Sequence, residues 1–226
     1  MATPYSITIN LDPDTLQSLN QNGLQLFGFK AVHGPPQGVP VVWFQTAQFL
    51  SSTQVNWTED YQAYISTTTQ LNPQTTITAA SSCSIDVGQV ATVQNGVLTS
   101  TQGPDNQGIR ILNATTTQYT CGLAQQTGGS GPYKPICAFP LLPNLEDLLV
   151  PIEKVFLMFA TPEVDTGMVL EESFSPGALI DLTGQTSVTV TYNSQQSGGW
   201  VPQPGVTVFP PNTSLLPMLT PATSIG

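Results

Sequence analysis

The sequence predicts an all-β protein, and we expect an antiparallel β-sandwich with one short helix near the N-terminus and an extended proline-rich C-terminal arm. Many short stretches alternate between apolar and polar residues, and Gly, Pro, Asn and Asp separate them. Residues 155–160 are instead apolar at every position, which is typical of a central strand covered on both faces. Pro151 and Pro162 bracket this run at strand length, so we expect the rest of the chain to be arranged around it.

The length and composition are those of a folded domain. The chain has 226 residues, and 39% of them are hydrophobic, which is enough to form a core. Only 8% are charged, against about 25% in typical soluble domains, and Thr, Gln, Ser and Asn supply the polar surface instead. We expect a β-sandwich domain over residues 1–197 and the arm over residues 198–226.

The charge balance argues against two modes of binding, although a membrane or a glycan stays open as a partner. Fourteen acidic side chains against four basic ones give a formal net charge of −10. Nucleic-acid binding and docking on anionic membranes both depend on cationic side chains, so neither is expected. The chain does not begin with a cationic and apolar leader, and no run reaches the ~18 apolar residues of a spanning helix. We therefore expect synthesis in the cytoplasm, with any release by a non-classical route.

The N-terminal region predicts the short helix. Asp12 can cap a helix that begins at Pro13, and Gly23 can end it. The only histidine, His33, lies beside Gly-Pro-Pro, which indicates a turn residue rather than a metal ligand or a catalytic base. The strands that we expect in this region cover residues 5–11, 24–32 and 39–49.

Trp57, Tyr61 and Tyr64 form the most aromatic stretch of the chain, with Asn, Gln, Glu and Asp close by. These residue types stack on sugars and hydrogen-bond to them, so the three aromatic residues are candidate carbohydrate-binding residues. The competing interpretation is that they are ordinary strand residues. A strand over residues 61–65 places Tyr61 on one face and Tyr64 on the other.

Residues 76–101 alternate and are rich in Ser and Thr, and Asn95 and Gly96 predict a tight hairpin turn. In this alternation the segment resembles the membrane-inserting hairpins of β-pore-forming toxins. The resemblance covers residues 76–101 only and implies that the segment leaves the sandwich to form a transmembrane hairpin. The segment has no Lys or Glu, which agrees with this hypothesis because charge on a lipid-facing surface is costly.

The three cysteines leave two interpretations open. An odd number of thiols is typical of a reducing compartment. However, Cys121 and Cys137 flank a Gly-rich segment that is typical of a long hairpin loop, and such a loop can bring two sulfurs within bonding distance. This pair is a candidate disulfide that leaves Cys83 free, and buried free thiols are the alternative.

Residues 198–226 contain six prolines and no charged side chain. Proline disfavours a regular helix or a central strand, and a flexible linker would be more polar. We therefore expect an extended apolar arm that lies on its own body or on a neighbouring subunit, which favours a homo-oligomer. The residues expected to make this contact are Trp200, Val206, Val208, Phe209, Leu215, Leu216, Met218 and Leu219.

The motifs of common enzymes do not occur in the sequence. There is no phosphate loop, His-Glu-x-x-His, Cys-x-x-Cys or Gly-x-Ser-x-Gly, so we expect no enzyme, no cofactor and no metal site. Carboxylates concentrate in residues 146–172, and we expect adjacent pairs such as Glu146–Asp147 and Glu171–Glu172 at solvated loop edges rather than in an acid–base site. Three functions stay open: a non-catalytic, self-associating structural or binding protein, a β-pore-forming toxin, and a lectin-like module.

Overall fold

A computed structural model describes residues 3–161 and 163–222, and these residues are mostly β. The predicted all-β class is therefore confirmed. The strands are β1 Pro4–Leu11, β2 Gln25–His33, β3 Val39–Pro40, β4 Phe44–Thr46, β5 Ser52–Thr58, β6 Tyr61–Ser66, β7 Ser81–Ile85, β8 Gln89–Gln94, β9 Val97–Gln102, β10 Ile109–Asn113, β11 Tyr119–Gln125, β12 Lys134–Pro135, β13 Cys137–Leu141, β14 Glu146–Ala160, β15 Gly177–Asp181, β16 Ser187–Tyr192 and β17 Val206–Phe209. The helices are α1 Pro13–Gln21 and α2 Leu216–Leu219. Neither of them has the length and apolar character needed to cross a membrane.

The described strands fall into three sheets. The smallest has the order β16-β1-β5. The largest runs β17-β15-β14-β10-β8-β9, with β2 paired to β14 and β4 paired to β2. The third runs β3-β13-β11-β6-β7, with β12 paired to β11. Two pairings, β1 with β16 and β10 with β8, are parallel, which corrects the prediction of a purely antiparallel arrangement. These partners are not joined by hairpins, so the chain is free to bring them together in the same direction.

Strand β14 is the centre of the largest sheet, and its last six residues are buried on both faces as the sequence predicts. Val155, Leu157 and Phe159 contribute to the main core. The alternate residues of the same stretch belong to a second core, whose buried members include Phe27, Phe29, Phe156, Met158, Ala160, Leu215 and Leu219. The strand is longer than expected, because Pro151 lies inside it, one residue before the register shift between Ile152 and Val155. A proline is tolerated beside such an irregularity. Pro162 lies outside the described residues.

Helix α1 forms where the sequence predicts it. The Asp12 carboxylate accepts a hydrogen bond from the Thr15 backbone N–H at 2.9 Å, which satisfies one of the free donors at the helix start. Gly23 follows the helix with φ +62°, a conformation that glycine adopts without strain. Leu19 is buried in the main core, so the helix rests on the sheets.

The C-terminal segment packs on the body of its own chain. Strand β17 extends the largest sheet by pairing with β15, and α2 places Leu215 and Leu219 in the second core. Trp200 stacks on Phe159 with ring centroids 5.5 Å apart. The prediction was that proline disfavours a regular helix or a central strand here, and β17 is indeed an edge strand. The short helix α2 nevertheless forms, because Pro217 lies in its first turn, where its missing N–H is not needed. Residues 223–226 of the predicted arm lie outside the described residues.

Candidate functional site

The three aromatic residues predicted to bind carbohydrate are buried. Tyr61 and Tyr64 point to opposite faces of β6 as predicted, and the Tyr64 hydroxyl donates a hydrogen bond to the Cys137 carbonyl at 2.7 Å. Trp57 on β5 stacks against Tyr5 with ring centroids 5.5 Å apart. Stacking on a sugar needs an open ring face, so this burial corrects the predicted carbohydrate platform.

The candidate disulfide is absent, since Cys83, Cys121 and Cys137 all carry free thiols. The register of β11 with β13 places Cys121 opposite Phe139, two residues along the strand from Cys137, and a bridge needs closer partners. The Cys121 thiol donates instead to the Asp147 carboxylate at 3.5 Å. Burial raises the pKa of Cys137 to about 12, and it also raises that of Cys121.

Residues 76–101 occupy the margins of two sheets. β7 ends the third sheet and β9 ends the largest one. The Leu98 N–H donates to Ser81 Oγ at 3.0 Å, so a side chain joins β9 to β7 at this point. Asn95 and Gly96 have φ values of 52° and 76°, which are those of the predicted hairpin turn. Both strands of this hairpin have six residues, whereas a transmembrane strand needs about 9–11.

The most unusual polar group of the described residues is Lys30, which the sequence analysis did not single out. It lies on β2 with a side-chain exposure of 0%, and its Nζ is 3.7 Å from the Glu153 carboxylate. The same Nζ lies over two aromatic rings, 5.2 Å from the centroid of Trp57 and 5.6 Å from that of Tyr61. A fully buried lysine is rare unless it is paired, so this residue marks a candidate site.

Burial dominates the electrostatics of this pair. It lowers the pKa of Lys30 to about 8, although the carboxylates of Glu153 and Glu59 oppose the shift. It raises the pKa of Glu153, which the Lys30 ammonium opposes and the nearby Glu59 carboxylate reinforces. Each charge is therefore held in surroundings that favour its neutral form.

Several buried polar atoms around Lys30 have no hydrogen-bond partner among the described residues. In folded proteins nearly all such atoms are satisfied, and exceptions are concentrated where a water molecule, an ion or a ligand binds. The atoms of this cluster without a hydrogen bond, which we call the Lys30 cluster, are Trp57 Nε1, Tyr61 Oη and Gln125 Oε1, together with Lys30 Nζ and Glu153 Oε2, which face each other as an ion pair at 3.7 Å. The sequence contains one signal for it: a lysine interrupts the otherwise apolar run of β2.

A cavity of about 480 Å³ adjoins the Lys30 cluster. Tyr61 and Glu153 line it together with Glu59 and Asp86, and Val150 supplies an apolar wall. No group of His, Cys, Asp or Glu in residues 3–161 and 163–222 is arranged to hold a metal ion. Glu153 lines this cavity and faces Lys30. The expectation that the pair Glu146–Asp147 lies at a solvated loop edge is corrected, because both residues lie on β14 and Asp147 accepts a hydrogen bond from the Cys121 thiol.

A second feature is an exposed apolar end of the largest sheet. Val97, Leu142 and Leu145 are 56%, 46% and 52% exposed. Asn113 holds this end together: its backbone N–H donates to the Leu145 carbonyl at 2.9 Å, and its buried side chain donates to the Leu142 carbonyl at 3.1 Å. In the adjoining row of the sheet Asn113 pairs with Val93, and Val93 pairs with Leu98. Leu145 directly precedes β14, and β10, β8 and β9 follow β14 in the sheet order. Leu145 and β9 therefore lie three strand spacings apart, about 14 Å. We call Val97, Leu142 and Leu145 the apolar tip.

Comparison of the chain with protein-family models, curated proteins and solved structures gave no match.

Proposed function

We propose that this protein is a non-catalytic, self-associating structural or binding protein with a sandwich-like β body, and that copies meet through the apolar tip. The observation that carries this proposal is the exposure of three large apolar side chains at one end of the largest sheet. Exposed apolar surface rimmed by polar residues is typical of association sites. We do not expect the C-terminal segment to make this contact, because Trp200 and Val206 pack in the chain's own main core and Leu215 and Leu219 in its second core.

The distribution of charge supports a second copy as the partner. The segments that form the tip belong to residues 87–104, 111–133 and 135–145, which contain no charged side chain. Glu146, which follows the tip, is paired with Arg110 at 2.8 Å. Two chains that each carry a net charge of −10 repel over most of their surface, so an uncharged end is where they can approach. An anionic membrane offers no such advantage, because the tip has no Lys or Arg to attract it.

The turn that contains Leu142 and Leu145 favours association of two copies because it is already ordered. Leu145 N–H bonds back to the Leu142 carbonyl at 3.4 Å, and Asn144 between them has φ 57°. The Asn113 side chain fixes the same carbonyl from inside the protein. A rigid loop loses little conformational entropy on association, so more of the apolar burial becomes binding free energy.

Sedimentation velocity over a concentration series tests the proposal. We expect concentration-dependent association of the full chain up to about 1 mM, where about 4 kcal/mol of binding free energy suffices. The double variant Leu142→Glu, Leu145→Glu should stay monomeric, because each new carboxylate has to be desolvated beside another acidic chain. Leu50→Glu is the matched control, since Leu50 is exposed outside the tip. A wild-type chain that stays monomeric, or a double variant that associates like the control, contradicts the proposal.

A β-pore-forming activity of residues 76–101 is the second candidate. The observation that favours it is that β7 and β9 meet through the Ser81 side chain and not through a backbone ladder, so insertion has to break only the ladders of β7 with β6 and of β8 with β10. Dye release from liposomes of varied lipid composition tests it. A Leu98→Pro variant, which removes the N–H of this link, should change the rate of release if the segment inserts. Absence of release by the wild-type chain rejects this candidate.

A further inference from the structure

We propose that Asn95 is a site of spontaneous deamidation, and that the carboxylate formed there opposes association through the apolar tip. The second part rests on the proposed function, whereas the first part does not. Asn95 and Gly96 form the turn between β8 and β9, and both residues are exposed. Asn-Gly suits this kind of turn. It also leaves the amide side chain open to attack by the next backbone nitrogen, because glycine has no Cβ to obstruct the approach.

The reaction needs only the chain and water. The backbone nitrogen of Gly96 attacks the side-chain carbonyl carbon of Asn95, a C–N bond forms, and the side-chain amide leaves as ammonia with the proton of that nitrogen. Water then opens the cyclic imide at either of its two carbonyl groups. The product is aspartate, or isoaspartate in which the backbone runs through the former side chain. Both products carry a negative charge at neutral pH that asparagine does not have.

The hairpin turn leaves both reacting groups free. The side-chain amide of Asn95 and the N–H of Gly96 make no hydrogen bond with the residues that the structure describes. A Cβ added at Gly96 would have no neighbour within 4 Å, so the turn stands clear of the rest of the fold. The adjustment that brings the nitrogen to the carbonyl carbon is therefore local to the turn, and no packed side chain opposes it.

The same tripeptide, Gln-Asn-Gly, occurs a second time at residues 21–23, where both groups are held. The side-chain amide of Asn22 donates to the Ser18 carbonyl at 2.8 Å, at the end of α1. The Gly23 N–H donates to the Asn20 carbonyl at 3.2 Å. Both hydrogen bonds have to open before the nitrogen can attack the amide. An identical local sequence is therefore reactive in the hairpin and protected at the end of the helix.

Deamidation of Asn95 places a charge where the surface has none. Residues 87–104 contain no charged side chain, and Asn95 lies two positions before Val97 of the apolar tip. A carboxylate here has to be desolvated against a second chain whose net charge is also −10. Isoaspartate in addition lengthens the backbone of the turn, which disturbs the pairing of Gln94 with Val97. A deamidated copy is therefore expected to associate less readily than an unmodified one.

Peptide mapping by mass spectrometry tests the modification site on the full chain incubated at mildly alkaline pH. We expect Asn95 to deamidate about tenfold faster than Asn22 in the native protein, because two hydrogen bonds protect Asn22. In denaturant the two residues should react at similar rates, since Gln precedes and Gly follows both of them. Equal rates in the native protein, or a slower reaction at Asn95, overturn the proposal.

Sedimentation velocity of two variants tests the effect on association. Asn95→Asp carries the charge of the product, and Asp-Gly suits the same turn, so we expect it to associate about tenfold more weakly than the wild type. Asn22→Asp is the matched control, because it adds the same charge at an exposed position outside the tip and should associate like the wild type. Equal association of the two variants overturns the effect on the tip. A monomeric wild-type chain overturns the proposed function together with this effect, while the mass spectrum still decides on the modification site.

Discussion

Replacing Lys30 by Met is expected to stabilise the protein, although Lys30 forms an ion pair. Met has a similar length and an unbranched chain, so it can follow the path of the lysine stem without a new clash. The variant removes an ammonium whose side-chain exposure is 0%. It leaves Glu153 with 17% of its side chain exposed, so this carboxyl can reach solvent or take up a proton. Loss of the partner therefore does not leave a fully buried charge behind.

The expected magnitude follows from the pKa of Lys30. The pKa is lowered from 10.5 to about 8 even with Glu153 at 3.7 Å, so the folded protein disfavours the charged form. This shift means that the charge on Lys30 lowers the free energy of unfolding by roughly 3 kcal/mol at neutral pH. We expect Lys30→Met to raise the free energy of unfolding by about 2–3 kcal/mol at pH 7. Gains of about 1–4 kcal/mol are typical when apolar residues replace a buried ion pair.

Denaturant unfolding at a series of pH values measures this effect. Below pH 8 Lys30 is protonated in both the folded and the unfolded chain, so the full gain should appear. Between pH 8 and 10.5 the folded chain releases its proton first, and the stability of the wild-type protein therefore rises with pH. The difference between variant and wild type should close by about pH 10.5.

Lys154→Met is the matched control, because Lys154 is 36% exposed and pairs with Asp181 at 3.2 Å on the surface. Exposed pairs of this kind contribute about 0–1 kcal/mol, so this variant should change stability little and without the same pH dependence. A loss of about 3 kcal/mol or more in Lys30→Met would refute the reasoning. It would mean that the ion pair and the two aromatic rings more than compensate for burial of the ammonium.

Two further predictions concern the C-terminal segment and the thiols. A chain that ends at Gln196 loses the buried residues Trp200, Leu215 and Leu219. Because the loss of each buried side chain of this size costs about 2–5 kcal/mol, the truncated chain should show no cooperative unfolding by near-UV circular dichroism. A truncated chain that is folded and monomeric would contradict the packing described for this segment. Thiol titration at pH 8.5 should label Cys83 in the native protein and all three cysteines only in denaturant, since Cys121 and Cys137 are buried and their pKa values are raised. Fast native labelling of two or more thiols would contradict this burial.

Local patterns in the sequence were sufficient to predict the class of the fold and several of its elements. The Asp12 cap with Pro13 and the Asn95-Gly96 turn depend on neighbouring residues only, and both form as predicted. The burial of residues 155–160 on both faces of the strand could also be predicted, because these residues are apolar at every position. The parallel pairing of β1 with β16 could not, because nothing in either strand specifies a partner so distant in the sequence.

The Lys30 cluster was missed because its members belong to five separate strands. Lys30 lies on β2, Trp57 on β5, Tyr61 on β6, Gln125 on β11 and Glu153 on β14, and each residue alone is ordinary. The two aromatic residues were noticed, but residue type does not tell whether a ring faces solvent or a buried ammonium. The exposure of Leu142 and Leu145 was also not predicted, because apolar residues beside a buried strand resemble core residues until the turn between them is known.

The parallel pairing of β1 with β16 has a consequence for the synthesis of the chain on the ribosome. Ser6 pairs with Ser187, so 187 − 6 = 181 residues separate the partners. At about 5–20 residues per second, the ribosome needs roughly 10–35 s to deliver the second strand after the first. During this interval β1 can pair with β5 but has an open edge on its other side. The topology therefore leaves this edge of β1 open to pairing with other chains until β16 has been synthesised.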